Sequence, residues 1–395
     1  MFLRSFSFLF LLSLCASAQK LVPPVLHQNP AGELQTYREN LTALRKDHTS
    51  QRELPDLKFF LFGMGNRLKL IYRNGRLLNA LTGNIEEQWK VKEELIVPSS
   101  YLVHLVLADG QIVQILENET GVWLLQPTKR PRLIPGTRSR LNLPQFADKR
   151  FGPVLRVLHQ ELLINIIHGR PAPNFLVYPK PRYRDAAIMS MALRETTNLA
   201  LIQDWIMAIR DPFDRNNQGI AEADNLGEVL FLVSLVSGKT HPVVQMVLDS
   251  ADRFRKENYI LGQTDSDEHP VYQTKWLKYG LKLLNLPDAY VIPKQYDSYS
   301  SLFWWGYTNE HVAGKKFDEG SRTNRPYMVW AEDHFYQEKR GMLGNLDYPL
   351  SWEQKSGNAH YPAMTVLDKD LVKQKLAFPH SWHAAEMFLL LYKMN

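Results

Sequence analysis

Residues 183–193 read YRDAAIMSMAL, a short polar cluster followed at once by a segment that is apolar on every face. The same arrangement returns at residues 222–233, EADNLGEVLFLV, and at residues 380–391, HSWHAAEMFLLL. A helix that is apolar all round must be buried among other helices. Several such helices, each beginning at a polar cluster, predict a buried inner layer whose helix ends line one concave surface.

Amphipathic helices are predicted between the buried ones. Residues 242–256, for example, carry an apolar stripe at helical spacing, formed by Val243, Val244, Met246, Val247, Ala251 and Phe254. From Phe146 onward the pattern predicts about ten helices of these two alternating kinds, among them residues 151–169, 198–210 and 271–286. Such an alternation is what a double ring of helices requires. The sequence therefore predicts a mainly α fold, an α/α toroid over residues 146–395.

A small antiparallel β domain is predicted before the helical part. Asn74-Gly75 and Asp109-Gly110 each separate two apolar runs, which is a strong signal for a tight hairpin. We expect roughly six or seven short strands between residues 57 and 126. Residues 19–126 thus form an irregular lead-in and a β domain, and the basic, Pro- and Gly-containing residues 127–145 are predicted to be a linker.

The composition limits the class of protein. The 395 residues, of which 45% are hydrophobic, suffice for a large core and about two domains. The formal net charge of +6 is small for this length, and acids and bases are interspersed, so we expect no nucleic acid partner. Past the first residues, no segment offers about 18 uninterrupted apolar residues, so we expect no stable membrane insertion.

The first 18 residues have the pattern of an export signal. Arg4 precedes the apolar run Phe6–Leu14, and Ala16-Ser17-Ala18 resembles a cleavage site. We therefore expect an extracytoplasmic protein, periplasmic or secreted, cleaved near Ala18. The single cysteine, Cys15, lies within this signal, so the mature chain would have no disulfide. Export without disulfides favours a bacterial source; lipidation of Cys15 is the alternative, which the bulky Leu14 disfavours.

Three features together resemble the six-hairpin glycosidase superfamily, the α/α-toroid enzymes of the glucoamylase and unsaturated glucuronyl hydrolase kind. They are the Tyr183-Arg184-Asp185 opening of a buried helix, the alternating helices, and clusters of acids with tryptophan at residues 330–334 and 351–354. The resemblance covers residues 146–395 and is architectural. It implies an exported hydrolase that cleaves glycosidic bonds with a carboxylate acid/base pair in the toroid cleft.

Glycoside hydrolysis needs two facing carboxyl groups, one to donate a proton and one to activate water or attack the sugar. The predicted catalytic residues are Glu222, Asp224 and Glu353, with Glu222 or Asp224 facing Glu353. The predicted substrate-binding residues are Tyr183, Arg184, Asp185, Trp330, Glu332, Asp333, Trp352, His380, Trp382 and His383. The structural alternative for each acid is to cap a helix or to complement its dipole.

The expected partner is an oligosaccharide or polysaccharide, since tryptophan rings suit the apolar faces of sugars. Arg184 could clamp a carboxylate, which makes a uronate-containing sugar one candidate. His380 and His383 lack a recognised zinc spacing, and we expect no metal or other cofactor. The oligomeric state is not determined by the sequence.

Two other functions fit the same residues. A polysaccharide lyase would abstract a proton beside a uronate, with Tyr183, Arg184 and His383 as its candidate residues. A secreted module that binds glycans or envelope components without catalysis would keep the aromatic residues and would not need the acids.

Overall fold

The computed structural model describes residues 22–47, 57, 59–176, 178–215, 219–265, 267–297, 299 and 381–393. In this part the chain forms eight α-helices and fifteen strands in five antiparallel sheets. The helices are α1 (Pro30–Asp47), α2 (Gly152–Ile164), α3 (Tyr183–Glu195), α4 (Gln203–Met207), α5 (Asn225–Val236), α6 (Pro242–Phe254), α7 (Pro270–Leu283) and α8 (Ser381–Lys393).

Nine of the strands lie in the N-terminal region, in a four-stranded sheet of order β1-β2-β3-β4 and a five-stranded sheet of order β5-β6-β7-β8-β9. Their bounds are β1 (Phe60–Phe62), β2 (Leu70–Arg73), β3 (Arg76–Asn79), β4 (Ile85–Gln88), β5 (Val91–Val97), β6 (Leu102–Leu107), β7 (Ile112–Asn118), β8 (Gly121–Gln126) and β9 (Lys129–Leu133). The other six strands form three short hairpins: β10 (Ile166–Ile167) with β11 (Arg170–Pro171), β12 (Arg255–Lys256) with β13 (Tyr259–Ile260), and β14 (Gln263–Thr264) with β15 (Asp267–Glu268).

Both predicted hairpins are confirmed. Asn74 and Gly75 join β2 to β3 with φ angles of 48° and 72°, and Gly110 turns between β6 and β7 with φ 81°. Positive φ at these residues is what a tight hairpin turn demands. The region holds more strands than predicted: β1 to β8 lie between residues 57 and 126, and β9 follows in residues that were assigned to the linker. The division of the chain into domains stays a prediction.

The prediction of a mainly α toroid is wrong. The described residues combine helices with a large β-rich N-terminal region, and short β-hairpins connect some of the helices. A double ring needs an outer helix behind each inner one. Residues 198–210 were predicted to be such a helix, but they form a 3-10 turn and the five-residue helix α4. Only α6 is a long amphipathic helix of the predicted kind within this part of the chain.

The apolar helices pack side by side in the order α2, α8, α3, α5, α7. Helices α3, α5 and α8 are the three segments that were predicted to be buried from their apolar faces, and most of their residues are buried. Their neighbours α2 and α7 come from residues 151–169 and 271–286, which were also predicted to be helical. One continuous hydrophobic core joins these helices to the β sheets.

Two glycines allow α5 and α7 to touch through their backbones. A Cβ atom on Gly227 would lie 2.1 Å from the backbone carbon of Trp276, and one on Gly280 would lie 2.9 Å from the carbonyl oxygen of Gly227. No side chain fits in either position without moving a helix. This close approach fixes the beginning of α5 beside the middle of α7.

A buried ion pair connects the two sheets. Arg67 Nη1 donates to Glu117 Oε1 at 2.8 Å, and both side chains are fully buried. Glu117 also accepts hydrogen bonds from the backbone of Gly63 and Met64 in the β1–β2 loop, each at 2.8 Å. The backbone N–H of Gly65 in the same loop donates to Leu163 O of α2. Glu117 thus organises the loop through which the β region contacts the helices.

We expect Glu117→Gln to destabilise the protein by about 3–5 kcal/mol, because it leaves the buried Arg67 guanidinium without a counter-ion. The free energy of unfolding from urea titration measures the loss. The matched control is Glu93→Gln, which breaks the exposed pair with Lys92 and should change stability by less than about 0.5 kcal/mol. Equal effects of the two substitutions would contradict a special role for Glu117.

Candidate functional site

The first residues of four neighbouring helices meet in one place. Helices α3, α5, α7 and α8 pack together, and the residues around their N-termini include Arg184, Asp224, His269 and Trp382. Hydrogen bonds and ring contacts link these four positions through a common set of charged and aromatic side chains. The prediction that polar helix openings converge is therefore confirmed for these helices, although the predicted ring is not.

Arg184 lies at the centre of this set. Its Nε donates to Asp224 Oδ2 at 2.8 Å, its Nη1 to Asp265 Oδ1 at 2.8 Å, and its Nη2 to Glu222 Oε2 at 3.3 Å. Only 9% of the Arg184 side chain is exposed. Each nitrogen of the guanidinium thus bonds a different carboxyl group, and these groups come from separate parts of the chain.

The acids form layers at different depths. The Asp265 side chain is 50% exposed, that of Glu222 is 5% exposed, and that of Asp224 is fully buried. Glu228, one turn further along α5 than Asp224, is also fully buried. We call Arg184, Glu222, Asp224, Glu228 and Asp265 the Arg184 cluster. Solvent reaches it from the Asp265 side.

The backbone next to Glu222 and Asp265 sets how they face each other. The N–H of Ala223 donates to Gln263 O in β14, which holds the segment before α5 against the β14–β15 hairpin. The N–H of Asp265 donates to Glu222 Oε1 at 2.6 Å. Asp265 has φ 58°, a left-handed conformation that aspartate tolerates better than most residues. The hairpin thus presents Asp265 directly beside Glu222.

Aromatic rings surround the exposed side of the cluster. The Tyr299 hydroxyl donates to Asp265 Oδ2 at 2.5 Å, and its ring stacks on His269 with centroids 3.8 Å apart. The ring of the partly buried Trp382 lies 6.4 Å from Tyr299 and 5.7 Å from the guanidinium carbon of Arg184. Tyr299 therefore joins the carboxylate of Asp265 to the aromatic side chains.

Asp297 fixes both the histidine and the beginning of α7. Its Oδ1 lies 2.8 Å from His269 Nδ1, and its Oδ2 accepts hydrogen bonds from the backbone N–H groups of Val271 and Tyr272. Its Oδ1 also accepts from the N–H of Tyr299 at 2.8 Å. This buried carboxylate satisfies the first amides of the helix and holds His269 and Tyr299 in place.

The environment shifts the pKa values of Glu222 and Asp265 in opposite directions. Burial raises the pKa of Glu222, against the opposing effect of Arg184. For Asp265, desolvation acts upward, but the Arg184 guanidinium and the Tyr299 hydroxyl together lower its pKa below the ordinary value. Two adjacent carboxyl groups thus differ in their readiness to hold a proton, as an acid and a base must in general acid–base chemistry.

The deepest layer contains a second carboxyl pair. Burial, and then the charge of Asp224, raise the pKa of Glu228 well above its usual range. Glu228 Oε2 accepts a hydrogen bond from Asn225, whereas Glu228 Oε1 and Asp224 Oδ1 are buried without a hydrogen-bond partner. Buried polar atoms in this condition are uncommon and concentrate at sites of chemical function.

The structure brings together four of the residues predicted from the sequence: Arg184, Glu222, Asp224 and Trp382. Asp185 is buried in the first turn of α3 beside Arg184. Tyr183 faces elsewhere, since its hydroxyl donates to Asp211 O at 2.8 Å. The predicted residues outside the described part are Glu353, Trp330, Glu332, Asp333, Trp352 and His380, together with the side chain of His383.

Sequence reasoning missed Asp265, Glu228, His269 and Tyr299. A signal for two of them was present, because Asp265 and His269 belong to a polar segment directly before helix α7. This is the arrangement that identified Arg184 and Asp224. Glu228 was passed over because it lies inside an apolar helix, and Tyr299 because the chain around it shows no regular pattern.

No protein-family model matches this chain, and neither a curated protein nor a solved structure was found to match it. The resemblance to the six-hairpin glycosidases therefore stays a prediction. Among the described helices, none has the length and apolar character that crossing a bilayer requires. The same part of the chain contains no group of three or more His, Cys, Asp or Glu side chains arranged to hold a metal ion.

The raised pKa of Glu228 should make the free energy of unfolding depend on pH, and Glu228→Gln should abolish this dependence. Its raised pKa keeps it protonated in the folded state, so its contribution is complete below the unfolded value of about 4.3 and is lost as pH rises. The free energies of unfolding of wild type and variant are measured from pH 4 to 8. As pH rises, the wild type should lose stability relative to Glu228→Gln.

The matched control is Glu268→Gln, a change at an exposed position of the neighbouring β14–β15 hairpin. It should change the free energy of unfolding by less than about 0.5 kcal/mol, because substitutions at exposed positions have small effects. If the Glu228→Gln difference is constant with pH, the carboxyl group of Glu228 does not hold a proton in the folded protein.

Proposed function

We propose that the protein is an exported carbohydrate-active hydrolase that cleaves glycosidic bonds at the Arg184 cluster. Glu222 is the general acid, and Asp265 is the base that activates water or the nucleophile that attacks the sugar. One observation carries this proposal. Glu222 and Asp265 both bind the Arg184 guanidinium, yet the pKa of Glu222 is raised and that of Asp265 is lowered.

The spacing of the two acids fits this chemistry. Both accept hydrogen bonds from terminal nitrogens of Arg184, so their carboxyl groups lie within roughly 10 Å of each other, the range found in glycoside hydrolases. Glu222 is the more buried of the two and carries the raised pKa, which suits a proton donor. Asp265 is half exposed and carries the lowered pKa, which suits a group that meets water.

The other members of the cluster support these two groups. Asp224 holds Nε of Arg184 from the buried side, so the guanidinium is fixed between Glu222 and Asp265. Arg184 favours the ionised form of Asp265, and Tyr299 donates a second hydrogen bond to the same carboxylate. The partly buried Trp382 offers apolar ring surface near the acids, of the kind on which sugars stack. The predicted export signal agrees with a polysaccharide substrate outside the cytoplasm.

The lyase alternative has less support. Its candidate base Tyr183 donates its hydroxyl to the Asp211 carbonyl, and burial, with the nearby acids Asp214 and Asp211, raises its pKa. A tyrosine in this state is a poor base. A module that only binds glycans has no need for adjacent acids with separated pKa values. The hydrolase accounts for both the acids and the rings.

Glu222→Gln and Asp265→Asn should each reduce hydrolysis by at least about a hundredfold, because each removes one proton-transfer group or the nucleophile. Release of reducing ends is measured with the purified mature chain on a panel of polysaccharides. Each amide keeps the size of the acid and Asp224 still pairs with Arg184, so both variants should be folded at the assay temperature, which circular dichroism checks.

Asp267→Asn is the matched control, since Asp267 lies in the same hairpin as Asp265 and is exposed. It should retain wild-type hydrolysis. Unfolding of Glu222→Gln or Asp265→Asn would assign these acids to structure. Folded variants with undiminished hydrolysis would show that the reaction takes place at other residues.

A further inference from the structure

The guanidinium of Arg184 is already occupied by the protein itself. Its three nitrogens each donate to a different acid, Asp224, Asp265 or Glu222. Three of its five N–H donors are thus engaged, and the carboxylates of Asp224 and Asp265 already balance its positive charge. Arg184 therefore does not serve as a receptor for a uronate, although the sequence made that role attractive.

The cluster also has an excess of negative charge. Against the single cation of Arg184 stand the carboxylates of Asp224 and Asp265, before Glu222 is counted. Glu228 adds a further acid, which its raised pKa keeps protonated. Asp265 is the outermost of these groups and has an ionised carboxylate at neutral pH, since its pKa is lowered. A ligand that enters from solvent meets this negative group first.

We propose, on the basis of the proposed function, that the site takes neutral and above all amino sugars, and that it disfavours uronates. An ammonium group on the sugar is attracted to Asp265, whereas a carboxylate is repelled by it and meets an Arg184 whose charge Asp224 and Asp265 already balance. Like charges brought together in a partly buried site cost several kcal/mol. The chain as a whole carries a net charge of +6, so this preference is a property of the site and not of the whole surface.

The test uses the full chain with Glu222→Gln, which prevents turnover while its amide mimics the protonated acid. Calorimetric titration compares polysaccharide oligomers of the same backbones in three forms: neutral, aminated and uronate. For at least one polysaccharide backbone, the aminated oligomer should bind at least about tenfold more tightly than the uronate oligomer. This ratio corresponds to about 1.4 kcal/mol in binding free energy. The neutral form should lie between them.

A second substitution isolates the group responsible. Adding Asp265→Asn removes the outermost charge and should reduce the ratio between aminated and uronate forms, whereas Asp267→Asn should leave that ratio unchanged. Raising the salt concentration to about 0.5 M should weaken the binding of the aminated form and leave that of the neutral form unchanged, because salt screens attraction between charges.

Equal or tighter binding of the uronate forms, or no binding of any form at millimolar concentration, would overturn the inference. The proposed function fails separately, by a different result. If the aminated form binds best but the wild-type protein hydrolyses none of the oligomers, the charge preference stands and the hydrolase proposal falls.

Discussion

The arrangement of this protein around its candidate site depends on one guanidinium held by three carboxyl groups. Arg184 begins a buried helix, Asp224 begins the next one, and Glu222 and Asp265 come from the loop and the hairpin beside them. A charge taken out of water is tolerated only where partners compensate for its lost hydration. The near-complete burial of Arg184 therefore requires these acids, and the acids in turn are drawn to one place. Burial and the neighbouring hydrogen bonds then displace the pKa values of Glu222 and Asp265 in opposite directions.

Local features of the fold could be predicted from the sequence because they depend on neighbouring residues. Asn74-Gly75 specifies its hairpin through two positive φ angles, and the apolar runs that follow Asp185 and Asp224 specify buried helices. The toroid could not be predicted in this way. Whether residues 198–210 form an outer helix is decided by packing over long distances, and there the chain forms a turn and a short helix. An alternation of apolar and amphipathic segments does not by itself specify ring closure.

The site was predictable in part for the same reason. The rule that polar clusters open apolar helices identified Arg184, Glu222, Asp224 and Trp382, and applied to residues 265–269 it would have added Asp265 and His269. It could not show that Asp265, 81 positions from Arg184, pairs with its guanidinium, or that Tyr299 donates to Asp265. Nor could it assign acid and base, because burial and shared hydrogen bonds set those pKa values and neither is visible in a single sequence.

Unequal burial and unequal hydrogen bonding around one guanidinium separate the proton affinities of Glu222 and Asp265. The most direct measurement is a titration of the two carboxyl carbons by NMR, in wild type and in Tyr299→Phe. The apparent pKa of Glu222 should lie above the ordinary glutamate value and that of Asp265 below the ordinary aspartate value. Loss of the Tyr299 hydroxyl should raise the pKa of Asp265. Two ordinary values, or values displaced in the reverse order, would show that these interactions do not set the two pKa values.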